Sequence, residues 1–301
     1  MSWLETRRQM EARIIQNYRR QSPEGEHSHP SYDLVCRFMS MAFRLLGLYG
    51  RGNRNAKDLR LHQLVIPHPA VPTEFDGFTL LFISDIHVGS VSEVITEAVK
   101  RISDLTFDMA VLGGDYQLFG NPSAVESAEM LEPLLATLRD KAPLYAILGN
   151  HDRHDLPPEL ERRGARVLIN QHIVIERNGK HLVLIGLDDI HAFYTDAALK
   201  ALRDAPDGFK LAAIHSPEFA NQAAAAGVNL YLAGHTHGGQ VCLPGGKPIV
   251  TAMNSHRALA VGQWRHNGMV GYTSTGLGSA IPPVRFNCRP ELAFITLRRS
   301  A

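Results

Sequence analysis

Aspartate, asparagine and histidine gather in four short segments: Asp85-Ile86-His87, Gly113-Gly114-Asp115, Gly149-Asn150-His151-Asp152 and Gly234-His235-Thr236-His237. His215 stands apart from them. These residues offer oxygen and nitrogen donors and no sulfur, a set that suits Mn, Fe or Zn and does not describe a structural zinc finger. Because an extended chain alternates its faces, Asp85 and His87 can leave on the same side, and so can His235 and His237. Glycines at 89, 113, 114, 149, 234, 238 and 239 let the backbone turn sharply beside them. Asp85, His87, Asp115, Asn150, His215, His235 and His237 are more donors than one ion with an open position needs, so two divalent metal ions are expected. Two such ions about 3.5–4 Å apart clamp a phosphoryl group and generate hydroxide near neutral pH, so the chemistry to expect is phosphoester hydrolysis. An Asp-x-His or a Gly-Gly-Asp turn says little by itself. The inference rests on their joint occurrence, each after an apolar run.

Those runs are the elements that must carry the donors. Leu80–Ile83, Ala110–Leu112, Ala146–Leu148, Ala212–Ile214 and Leu230–Ala233 each end just before a candidate ligand. In an α/β sheet, ligands collect at the carboxyl ends of strands. From residue 77 the pattern alternates strand and helix, with helices over 93–105, 124–139, 158–163, 197–202 and 217–226. Strands are expected over 78–84, 109–112, 144–148, 167–169, 173–176, 182–187, 209–214 and 230–233, then near 249–253, 258–263, 269–274 and 291–297. Alternation followed by strands alone predicts two packed sheets with helices outside.

The chain has 301 residues, 45% hydrophobic and 20% charged, with a formal net charge of +1. That balance gives no reason to expect nucleic acid as a partner. Cys36, Cys242 and Cys288 are far apart and in no CxxC spacing, so neither a disulfide framework nor a thiolate zinc site is expected. The opening thirty residues read as a charged helix and a polar loop, not a secretory signal. No run reaches the ~18 apolar residues that span a bilayer. A cytoplasmic placement follows. Residues 1–75 read as a basic, partly amphipathic helical extension, and 76–301 as the catalytic domain. Residues 1–60 hold eleven Lys and Arg against six Asp and Glu. Within 32–49, Leu34, Val35, Phe38, Met41, Ala42, Leu45 and Leu48 recur at helical spacing, with Arg37, Arg44 and Arg51 opposite. Two readings stand: a helix packed on the domain with its arginines in water, or an interfacial helix lying on the inner face of an anionic membrane through residues 32–60.

The ordered series of segments resembles the calcineurin-like metallophosphoesterase superfamily, whose pattern is DxH, GD, GNH[DE], H and GHxH, over about residues 77–298. The resemblance implies a four-layer α/β/β/α sandwich with the metals at the sheet edge. It implies one ion held by Asp85, His87, Asp115 and His237, and a second by Asp115, Asn150, His215 and His235, with Asp115 shared. His151 would stabilise the transition state or protonate the leaving oxygen, and Asp152 would orient His151 or cap the following helix. The implied step is in-line attack on phosphorus by a metal-bridging hydroxide. His235-Thr236-His237-Gly238-Gly239-Gln240 and the tail from Gly276 to Glu291 are similar to a bacterial membrane-associated subgroup. That subgroup includes phosphodiesterases and UDP-diacylglucosamine pyrophosphatases, so a lipid-linked phosphoester is one expected substrate. Arg285 is a candidate for gripping a substrate phosphate, and His154 for a further substrate contact. A non-catalytic scaffold on the same fold would be expected to lose ligands, and an exonuclease to carry a basic groove.

Overall fold

The computed structural model describes residues 2–21, 30–118, 121–253 and 255–300. Its strands, in chain order, are β1 (Arg60–His68), β2 (Thr79–Ile83), β3 (Met109–Leu112), β4 (Leu144–Ala146), β5 (Arg166–Val167), β6 (Gln171–Arg177), β7 (Lys180–Gly186), β8 (Phe209–Ala213), β9 (Leu230–Ala233), β10 (Gly262–His266), β11 (Met269–Thr273) and β12 (Glu291–Arg299). The helices are α1 (Trp3–Gln21), α2 (Pro30–Leu45), α3 (Tyr49–Lys57), α4 (Val94–Ser103), α5 (Ala124–Arg139), α6 (Pro157–Arg162), α7 (Asp196–Arg203) and α8 (Ala220–Ala225). The polar loop expected at 22–29 lies outside the described residues.

Two six-stranded sheets form, in the orders β1-β12-β2-β3-β4-β5 and β10-β11-β9-β8-β7-β6. β2 to β5 run parallel, as do β7, β8, β9 and β11. The runs are continuously apolar because both faces are covered. Leu80, Phe82, Met109 and Val111 point between the sheets and meet Leu182, Leu184, Leu211, Leu230 and Leu232 from the other side. Their neighbours Leu81, Ile83, Ala110 and Leu112 face Ala98 and Ile102 of α4 and Leu131, Leu134 and Leu138 of α5. Across the second sheet, Val183, Ile185, Ala212 and Tyr231 face Ala198 and Leu202 of α7 and Ala220 and Ala223 of α8. The result is the four-layer α/β/β/α sandwich. Each fully buried Leu, Ile or Phe contributes about 1.5–3 kcal/mol of apolar transfer.

Several elements depart from the sequence reading. β1, within the segment read as an extension, pairs in parallel with β12. Pro67 is tolerated there because β1 is the sheet edge. Residues 249–253 form no strand; the chain crosses the site instead, with the Ala252 carbonyl 3.3 Å from His235 Nε2. Over 258–263, a 3-10 turn at Arg257–Leu259 comes first and β10 begins only at Gly262. α2 presents its apolar stripe outward: Leu34, Phe38, Met41 and Leu45 are 47–80% exposed. The helix packs by another side, where Cys36 Sγ donates to the Ile281 carbonyl at 3.2 Å and Phe43 stacks on Phe286.

Candidate metal centre

The loops after β2, β3, β4, β8 and β9 emerge at one edge and bring all seven candidate ligands together. Tight backbone contacts draw them in: Asp85 N donates to Gly114 O at 2.9 Å, and Gly234 N to His215 O at 2.9 Å. Gly234 is required there, since a Cβ would stand 1.9 Å from Ser84 Oγ and 2.2 Å from Asp85 Oδ2. Asp85, His87, Asp115, His235 and His237 all adopt positive φ, between 42° and 69°. A non-glycine residue in that region carries strain of about 1–2 kcal/mol, a cost that clusters at functional sites.

Two groups result, Asp85–His87–His237 and Asp115–His215–His235, each with its ligand atoms within 4.8 Å of one another. His87 Nδ1 lies 2.7 Å from the Gln117 carbonyl, which can only accept, so Nδ1 carries the proton and Nε2 offers a lone pair. That Nε2 is 3.1 Å from His237 Nε2 and 3.8 Å from Asp115 Oδ2, and His237 Nε2 is 3.6 Å from Asp85 Oδ1. In the second group His215 Nδ1 is oriented by the Gly113 carbonyl at 2.7 Å, which aims Nε2 at Asp115 Oδ2, 3.1 Å away. His235 Nδ1 meets Asn150 Oδ1 at 2.8 Å. Lone pairs and carboxylates converging in a buried space repel one another without a cation, so these donors fit two metal ions.

The titration directions differ between the histidines: burial opposes charge on His215, but Asp115 beside it outweighs this and holds His215 well above the ordinary range. Burial, then neighbouring imidazoles and Arg285, hold His237 well below the ordinary histidine range. Burial and His215 lower His235 to about 4. Both are thus neutral donors at pH 7. Burial opposes charge on Asp115, but His215 and His151 outweigh it and keep its carboxylate well below the usual range.

His151 sits beside the first group, its Nε2 3.9 Å from Asp115 Oδ2 and its ring 5.3 Å from that of His87. Burial lowers it to about 3, against the opposite pull of Asp115. Asp152 does neither thing expected of it. Its carboxylate accepts from the backbone N–H groups of Asp115, Tyr116, Gln117 and Gly149 at 2.8–3.1 Å, tying two ligand loops together. The expectation for Arg285 also fails. It is fully buried, and its guanidinium donates to the carbonyls of Thr275 and Gly278 and to Ser279 Oγ, holding the 275–279 turn instead of facing a substrate. His154 is engaged by Glu11, through its backbone N–H at 2.7 Å and Nδ1 at 2.6 Å.

Sequence reading missed two features. His191, which no motif singles out, has its ring centroid 4.6 Å from that of His235, tilted by 44°, and pairs with Glu218 at 2.8 Å. These three also form a group with ligand atoms within 4.8 Å. α1 reaches the centre through Trp3, Arg7 and Glu11, which share a face at i, i+4 and i+8; that spacing was the only sequence signal for them.

A family model described as calcineurin-like phosphoesterase matches residues 78–239. The uncharacterized metallophosphoesterase YkuE of Bacillus subtilis is 28% identical over 83% of this chain and 91% of its own. Phosphodiesterase YaeI of Escherichia coli is 30% identical over 73% of this chain and 82% of its own. A zebrafish (Danio rerio) transmembrane protein with metallophosphoesterase domain is 27% identical over 85% of this chain and 61% of its own.

Proposed function

Because this chain belongs to the calcineurin-like phosphoesterase family and is a metal-dependent phosphoester hydrolase, we propose that it cleaves phosphodiester or pyrophosphate bonds at a dinuclear centre. The observation that carries this reading is the close pair of ring nitrogens, His87 Nε2 and His237 Nε2, 3.1 Å apart beside two buried aspartates. Asp85, His87, Asp115 and His237 would hold one ion; Asp115, Asn150, His215 and His235 would hold the other. Manganese, iron or zinc bound there would supply Lewis acidity and lower the pKa of a water toward neutral pH. The protein's own part is to place and polarise. Asp115, reached from both groups, sets the separation of the two sites. His151, neutral at pH 7, donates its ring N–H toward a phosphoryl or leaving oxygen without the charge that would repel the ions. The Gln117 and Gly113 carbonyls fix the tautomers of His87 and His215, so no ring must reorient during reaction.

A lipid-linked substrate at an anionic membrane is the finer reading, with residues 1–75 as an extension that also lends β1 to the first sheet of the 76–301 domain. The helix that exposes Leu34, Phe38, Met41 and Leu45 is seated by its other side, through Cys36 and Phe43, on the Ile281–Phe286 loop. That loop continues from Gly278, whose N–H donates to the Asp85 carbonyl at 2.7 Å. Ile281, Leu243, Ile249 and Val250 add further exposed apolar surface, and Arg37, Arg44, Arg51 and Arg54 of α2 and α3 are exposed as well. Apolar side chains with a basic fringe fit an acyl chain and an anionic headgroup.

Metal-reconstituted protein should hydrolyse an aryl phosphodiester, and comparison with an aryl monoester and a UDP-linked lipid ranks the classes. Loss of metal dependence would refute the dinuclear reading. His151→Ala should keep both ions while turnover falls roughly 10²-fold. The protein should float with phosphatidylglycerol vesicles, and a Leu34→Ser/Phe38→Ser/Leu45→Ser variant should not. If the wild-type chain stays in the soluble fraction, the membrane reading is dropped.

A further inference from the structure

Arg7 is 1% exposed, although it lies on a helix rich in charged residues. A buried guanidinium is tolerated only where it is paired and its donors are used. Here NH2 donates to the Gly149 carbonyl at 3.1 Å and to the Asp152 carbonyl at 2.7 Å. Those two carbonyls bracket Asn150 and His151, so one nitrogen grips both ends of the two-residue segment that faces the metal centre. On its other side Arg7 NH1 pairs with Asp188, beyond β7 of the second sheet, and the guanidinium lies 3.3 Å over the Phe193 ring. Trp3 Nε1 donates to the same Asp188 at 2.7 Å. One turn along α1, Glu11 accepts from His154 N and faces its Nδ1, which pins the exit of the same loop. The loop after β4 belongs to the first sheet and Asp188 to the second, so α1 bridges both sheets at the edge where the ligands meet.

We propose that α1 acts as a clamp, with Arg7 and Glu11 as positioning residues that set where Asn150 and His151 stand at the phosphoryl site. The proposal rests on the reading above that His151 acts on the phosphoryl group. Arg7 itself touches backbone, not substrate. Misplacing a reacting group by about 1 Å costs up to 10²-fold in rate, so a loosened clamp should appear in turnover and not in substrate binding.

The test uses the full chain reconstituted with Mn²⁺. Arg7→Lys keeps the charge facing Asp188 but loses the forked grip on the two carbonyls. Glu11→Gln keeps the shape but removes the charge that faces His154 Nδ1 and Arg7 Nε. Amide hydrogen exchange across 148–156 should quicken at least tenfold in each variant, with exchange in β6 unchanged. On an aryl phosphodiester, Arg7→Lys should lower kcat about tenfold with KM within twofold and metal content unchanged. In a His151→Ala background the same change should alter kcat less than twofold, since residues acting as a unit are not additive. Unchanged loop exchange, exchange raised evenly over the whole chain, or a tenfold loss that persists without His151 would each overturn the clamp. Should Arg7→Lys fail to fold, Glu11→Gln decides by the same readouts. If the wild type hydrolyses no phosphoester, the hydrolase reading falls and the exchange result alone judges the clamp.

Discussion

Replacing Gly149 by alanine tests how closely the ligand loops must approach. A Cβ at this position would stand 2.1 Å from Asp115 Oδ1, 2.6 Å from Asp115 N and 2.7 Å from Asp115 Cγ. Real Cβ contacts essentially never fall below 3.0 Å, so one loop must yield by about 0.9 Å. Neither partner is the loose end of a flexible chain. Asp115 is buried, its Oδ1 accepts from His151 N at 2.9 Å, and its backbone N–H donates to Asp152 at 2.8 Å. The displacement therefore falls on the carboxylate proposed to be shared by both ions. Gly149→Ala should lower kcat on an aryl phosphodiester roughly 10²-fold, reduce bound metal below two per chain, and cost about 1–3 kcal/mol of stability. Steady-state kinetics, elemental analysis and thermal melting read the three effects. A variant with two bound ions, kcat within twofold of wild type and an unchanged melting point would refute the argument from contact distance.

Other perturbations separate holding the site from reacting in it. Asp152→Ala removes the acceptor of four backbone N–H groups and should destabilise the protein by about 3–5 kcal/mol, measured by denaturant unfolding. Arg285→Ala should lower the melting temperature sharply while the surviving folded fraction keeps its KM; a selective rise in KM would restore a substrate role. For Glu291, burial pushes the carboxyl up, but hydrogen bonds from His62, Tyr272 and Arg60 outweigh it and hold it at about 2, below the ordinary 4.5. A depressed folded value contributes stability above pH 4.5 that is lost as pH falls toward 2, about 3 kcal/mol across that window. Metal-free Glu291→Gln should be less stable than metal-free wild type at pH 7 and lose less between pH 4.5 and 2; parallel acid unfolding curves would contradict this.

The sequence by itself determined the layers and the set of candidate ligands. Apolar runs such as Leu80–Ile83 and Leu230–Ala233 must be covered on both faces, and that requirement alone predicts sheets between helices. The residues after each run announce a metal site because their chemistry is local: Asp85 with His87 and His235 with His237 are legible at a spacing of two. What only the tertiary structure decided depends on side chains meeting across long separations. β1 was hidden because Arg60, His62 and Gln63 look polar, yet pairing with β12 makes an edge strand in which Arg60 and His62 are half-buried. Asp152 and Arg285 looked like reactive groups, and their roles turned on which backbone N–H and carbonyl groups the fold placed around them. Trp3, Arg7 and Glu11 read as an ordinary charged helix, since nothing local says that a guanidinium will be buried 142 residues away from the carbonyl it holds. Periodicity reports which faces are covered, whereas partner choice is set by the packed shape of the whole chain.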